Sequence, residues 1–313
     1  MALTNFPFGV SSFGIPLIGS GPDVTTGDIY FVSSTAANRS DSGSQGTSPS
    51  LPFATLDYAV GRCTANQGDI IYVMPGHAET ISAAAGLDLD VAGISVIGLG
   101  WGNTRPTFTF ATATGADMDV DAANILLRNL RFIGNIAALA APCDVNAAGF
   151  TMEWCDWYVA TATTDIDMTI ITDAAADDMT IRFCRFWYDY SRAATAVTAA
   201  STEVIRLVGA DRAAIYGNYF SGNFATAIIN GITTLSGDIY IGHNRLYNDQ
   251  TANVAGWIDL VAGCTGVIEY NQGFHGYATD IATVIDPSSC AMIENYASNV
   301  VTESGGIVGT RST

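Results

Sequence analysis

The sequence predicts an all-β chain wound as a single-stranded, right-handed parallel β-helix of about ten coils. Two observations carry that prediction. From residue 124 onward one short motif returns at a period near 27, and its apolar residues alternate at period two, as strands require. Over the same half no 3.6-residue apolar stripe is present, which argues against helices. Composition makes the fold attainable: 49% of the 313 residues are hydrophobic and only 13% are charged, so a long core can be filled.

In chain order, residues 1–27 form the first element, an extended apolar arm. Its first 22 residues, MALTNFPFGVSSFGIPLIGSGP, contain no charged side chain. They lack the basic n-region of a signal peptide and are broken by Gly, Ser and Pro. They are also too interrupted to span a bilayer. The second element is a cap. Residues 42–50 form a Gly/Ser/Pro loop, Pro52 is placed to begin a helix, and Phe53, Leu56, Val60 and Cys63 share one helical face. Such a helix hides the open end of a strand stack. The runs 69–74, 86–91, 94–100, 106–110 and 118–122 then read as strands of the first coils.

The repeats follow, as NILLRNLRF (124–132), FTMEWCDWY (150–158), MTIRFCRFW (179–187), AAIYGNYF (213–220), IYIGHNRLY (239–247), GVIEYNQGF (266–274) and AMIENYA (291–297). The marked positions are Asn129, Cys155, Cys184, Asn218, Asn244, Asn271 and Asn295, at spacings of 26, 29, 34, 26, 27 and 24. A second strand-like run precedes most of them, at 168–172, 203–208, 227–232, 256–261 and 282–286. Each unit therefore reads as strand, turn, strand and longer loop, with an insertion at 190–202. One unit cannot bury its own apolar face, but stacked units can. An Asn at the same bend of every coil can bond to the Asn above and below, so the column is read as a structural ladder with Cys as a small substitute. The β-helix is assigned to residues 28–300 and a tail to 301–313.

Two stretches carry resemblances. DSGSQGTSPSLPFATLDYAV and GDIIYVMPGHAETI, within 41–81, resemble the opening of the pectate-lyase-like β-helix superfamily. That resemblance implies the fold and little about activity, because such helices serve as lyases, glycosidases, tailspikes and non-enzymatic virion parts. NFPFGVSSFGIPLIGSG (5–21) is similar to a leader on bacteriophage structural proteins. It implies a capsid decoration or cement protein, held to the major capsid protein through Asn5, Phe6, Phe8, Val10, Phe13, Ile15, Leu17 and Ile18. The expected setting is the capsid surface of a virion assembled in a bacterial cytoplasm. A homotrimer is expected by analogy with other virion β-helices. The alternative is a tailspike-type depolymerase or a glycan-binding β-helix.

The candidate chemistry is sparse. All 12 basic residues are Arg and 30 residues are acidic, giving a net charge of −18, which disfavours nucleic acid and anionic membranes as partners. Cys63, Cys143, Cys155, Cys184, Cys264 and Cys290 show no CxxC spacing and are read as free thiols, so zinc is not expected and no metal ligand is assigned. His77, His243 and His275 lack a triad or metal pattern, and no GxSxG run exists. No catalytic residue and no cofactor is assigned. Asp88 and Asp90, then Asp117, Asp119 and Asp121, then Asp165 and Asp167 alternate with apolar residues. They suit a solvated acidic face, Ca²⁺ ligands or the paired carboxylates of a glycosidase. Arg128, Arg131, Arg182, Arg185, Arg206 and Arg245 are expected to pair with acids on the outer face. Trp154, Trp157, Tyr158, Phe183, Phe186, Trp187, Tyr188 and Tyr190 cluster on two coils, as core, sugar platform or subunit contact.

Overall fold

The computed structural model describes residues 11–12, 15–16, 25–161, 163–188, 201–249, 256–276, 284–299 and 305–308. It is a parallel β-solenoid. Three sheets run the length of the rod, with ten, ten and eight strands, and neighbouring strands come from successive coils. Eight coils are complete, each with one strand in every sheet; an incomplete coil lies at either end. The prediction of about ten coils is met when those two are included.

Each coil has three strands where the sequence predicted two. The run at 124–132 is the reason. It divides into Leu126–Arg128 in the first sheet and Arg131–Gly134 in the second, joined by a two-residue corner. The second strand-like runs form the third sheet, as at Met168–Thr172 and Glu203–Leu207. Strands that the pattern missed are Ala78–Ile81 and Cys143–Val145.

Parallel register stacks like on like inside the rod. Val96, Leu127, Met152, Ile181 and Ile215 follow one another on the first sheet. Phe108, Phe132, Trp157, Phe186 and Phe220 do so on the second. Rings in this second column meet at 4.5 Å between Phe132 and Trp157 and at 4.8 Å between Phe186 and Phe220. Offset stacks of this kind add stability beyond the area they bury.

The cap is shorter than predicted. The helix is Leu56–Val60, with Thr55 as its N-cap. Pro52 precedes it rather than opening it, because the backbone of Phe53 is taken by a parallel bridge to Val32. Asp41 accepts from the Ala54 and Thr55 N–H groups and from the Thr55 hydroxyl, fixing the helix start. Buried Asp69 pins the beginning of the rod: its carboxylate accepts from Asp28 N and Thr64 N, both at 2.7 Å. The stretch read as a tail contributes a strand, since Gly305–Ile307 pairs antiparallel with Tyr296–Asn299 on the second sheet.

In the arm, Ser11–Ser12 and Ile15–Pro16 form a short antiparallel pair. Asn5, Phe6, Phe8, Val10, Phe13, Leu17 and Ile18 lie outside the described residues, as do Tyr190 and most of the 190–202 insertion. Among the described residues no helix is long and apolar enough to cross a membrane.

Candidate functional site

The corner between the first and second sheets holds two columns. The first residue of each corner is left-handed: Asn129, Trp154, Phe183, Gly217, His243, Tyr270 and Glu294 have φ between 43° and 68°. The second points into the rod: Leu130, Cys155, Cys184, Asn218, Asn244, Asn271 and Asn295 are all buried. Asn129 is therefore corrected by one position. It takes the left-handed place, and its amide donates to Gly98 O and Gly100 O, while Leu130 occupies the ladder level. Four asparagines make the ladder. Asn218 N and Nδ2 donate to Asn244 Oδ1 at 2.9 and 3.1 Å, and Asn244 N and Nδ2 to Asn271 Oδ1 at 3.1 and 3.0 Å. Asn271 N and Nδ2 bond in the same way to Asn295, and the chain continues upward through Cys184 N to Asn218 Oδ1. Cys155 and Cys184 fill the next two levels as free thiols.

Outward columns flank that corner with alternating charge. On the first sheet Arg128, Glu153 and Arg182 are in register, and Glu153 pairs with both guanidiniums. On the second sheet Arg131, Asp156 and Arg185 are in register. Arg185 Nε and Nη2 reach the two Asp156 oxygens at 2.9 and 3.0 Å, and that bonding holds the guanidinium above its ordinary pKa. Arg206 pairs with Glu203. The expected acid pairing thus holds for Arg128, Arg182, Arg185 and Arg206. Arg131 departs from it: Nη2 donates to Gly102 O at 3.1 Å, and the guanidinium lies over the Tyr158 ring.

A cleft of about 330 Å³ opens beside this second column, lined by Trp101, Gly102, Arg105, Arg131, Trp154, Asp156, Phe183 and Arg185. Trp101 is 69% exposed, Trp154 49% and Phe183 40%, whereas Arg105 is 4% and Asp156 3% exposed. The Arg105 guanidinium lies 4.5 Å over Trp101 and also contacts Asp156. Trp101 and Arg105 were not singled out in the sequence. Their signal is the Gly-Trp-Gly-Asn-Thr-Arg run, where the 3-10 turn Gly102–Thr104 lifts a large ring off the rod. Of the aromatic cluster, Trp157, Phe186 and Tyr188 are core, while Trp154 and Phe183 face outward.

The acidic residues gather on the third sheet. Asp88, Asp119 and Asp144 are in register and half-buried. Burial first, then repulsion from Asp117, Asp121, Asp144 and Asp88, pushes the Asp119 carboxyl up to about 6. Asp90, Asp117 and Asp121 flank this column; Asp165 and Asp167 precede the strand Met168–Thr172. No group of three or more His, Cys, Asp or Glu side chains is placed to hold a metal among the described residues. His77 is buried, accepts from Ser34 N at Nδ1 and bonds Glu79 through Nε2, so it belongs to the cap. His243 is exposed and stacks on Tyr270; His275 is buried, which lowers its pKa. Arg245 lines a second cleft with Tyr247, Gln272 and Tyr296.

No protein family matches the chain, and no curated protein matches it. A rhamnogalacturonan lyase is a solved structure to which it is similar, at 13% identity over 86% of this chain and 87% of that one, with a TM-score of 0.41. That likeness concerns the β-solenoid outline alone.

Proposed function

We propose that the chain is a structural protein of a bacteriophage particle. In this reading its β-solenoid decorates the head and its N-terminal arm fastens it to the major capsid protein. The supporting observation is the division of labour between arm and rod. Residues 28–69 supply the closure of the rod's N-terminal end, through the Ile29–Val32 strand, the Asp69 clamp and the Leu56–Val60 helix. In this reading the 22 uncharged residues before Asp23 serve attachment. A long, Gly- and Pro-punctuated ribbon can bind another protein's surface through backbone hydrogen bonds and apolar contacts. The resemblance of residues 5–21 to phage leaders is what supports a capsid as that surface. Association as a homotrimer belongs to the same proposal.

The test is binding to heads assembled from the major capsid protein of the same genome. The full chain should sediment with them. A chain lacking residues 1–22, and a full-length chain with Phe6, Phe8 and Phe13 replaced by Ser, should remain in the supernatant with an unchanged Tm. Decoration by either variant at full occupancy sinks the reading. Release of reducing ends from a host capsule would instead establish a depolymerase.

A further inference from the structure

We propose that the cleft between Trp101 and Phe183 is a binding site for an anionic glycan, a chain of sugar rings bearing carboxylate or sulfate groups. This proposal is independent of the arm.

The first ground is local charge. Three guanidiniums, of Arg105, Arg131 and Arg185, meet one carboxylate, Asp156, in a chain whose net charge is −18. A positive cleft on so acidic a surface attracts an anion that the rest of the molecule repels. The second ground is unfulfilled hydrogen bonding. Arg105 Nε and Arg131 Nε are buried with no hydrogen-bond partner among the described residues, while Arg105 Nη1 is held in an ion pair with Asp156. Buried donors left unpaired are costly, and oxyanions are the acceptors that guanidinium edges suit best. Trp101 covers one face of the Arg105 guanidinium and Tyr158 one face of Arg131, so a ligand would meet what remains of their edges.

The third ground is the rings. Trp154 and Phe183 sit in left-handed backbone, at φ 58° and 56°, where Gly or Asn is the unstrained choice. They add little to the core, since both are exposed, and their rings lie 5.1 Å apart. Gly217 makes room for the Phe183 ring, which a Cβ there would approach within 2.8 Å. Left-handed backbone recurs at every corner of this column, so what distinguishes these two positions is the exposed pair of large rings beside the arginines. The lining residues come from four successive coils, so the cleft extends roughly 14 Å along the rod. That length suits several linked rings, each offering an apolar face to an aromatic side chain. Both Asp156 oxygens are engaged by arginine, so the site binds and no bond-breaking step is assigned to it.

The experiment is calorimetric titration of the full chain with a glucuronate hexamer, a sulfated glucose hexamer and neutral cellohexaose. One or both anionic hexamers should bind about tenfold or more tighter than the neutral one, and raising salt from ~0.05 to ~0.5 M should weaken them. The tighter of the two identifies the oxyanion. Arg131→Gln, and separately Trp154→Asn with Phe183→Asn, should each weaken binding by about tenfold or more. The Asn pair suits left-handed backbone, so a folded variant is expected, with unchanged circular dichroism as the check. Absence of binding by any hexamer at millimolar concentration overturns the proposal. So does equal binding of the neutral hexamer, or binding that both variants retain.

Discussion

Asn244 shows what a single side chain does in this rod. Its Oδ1 accepts from Asn218, its Nδ2 donates to Ile215 O and Asn271 Oδ1, and it is fully buried. Asn244→Ala leaves the Asn218 N–H groups unpaired in the interior, and a loss of about 3 kcal/mol is expected by chemical denaturation. Position 129 illustrates how far such a column can be read from sequence. Asn suits both the inward ladder and the left-handed corner, one residue apart, and local spacing does not separate the two. Only the register with Trp154 and Cys155 does. The acidic column is legible as alternation, but not its stacking. Asp119 holds its proton to about pH 6 in the folded state, whereas an unfolded aspartate releases it near 4. Its contribution to stability is therefore present at low pH and lost as pH rises through about 6. Asp119→Asn should raise Tm at pH 7, by an amount worth about 1 kcal/mol after solvent screening, and the gain should vanish below pH 4. A constant gain at every pH would contradict this.

Among elements, the strands and the cap were legible to different degrees. Long alternating runs such as Met168–Thr172 announce themselves, because a buried strand needs β-branched and apolar residues on one face. Cys143–Val145 is too short to show a period, yet register with its neighbours makes it a strand. The bend at each marked position is legible, but not that it separates two strands, because a two-residue bend with one left-handed residue keeps the apolar pattern almost unbroken. The cap helix was visible, but its start was set by a distant carboxylate, Asp41, that local signals do not reveal. Asp41→Ala should remove three hydrogen bonds at that start and cost about 1–2 kcal/mol. Faster amide exchange confined to residues 54–60 is the expected signature; protection unchanged there would show that the helix is held by packing alone.

For the molecule as a whole, the sequence pattern was enough to identify a solenoid, since a repeated unit with an uncoverable face has few other solutions. The cleft was not legible. It draws Trp101 and Arg105 from one coil, Arg131 from the next and Phe183 from a later one, so its members are brought together only by stacking. In the proposed reading rod and arm divide the work: the strand Ile29–Val32, the helix Leu56–Val60 and the Asp69 clamp on Asp28 close the rod's N-terminal end, and the residues before Asp28 serve attachment. That division is the central claim about this protein. Its most direct measurement is co-sedimentation of phage heads with the full chain and with a chain lacking residues 1–22. The prediction is binding by the full chain and none by the shortened one, with both melting at the same temperature. Equal binding by the two chains would contradict it.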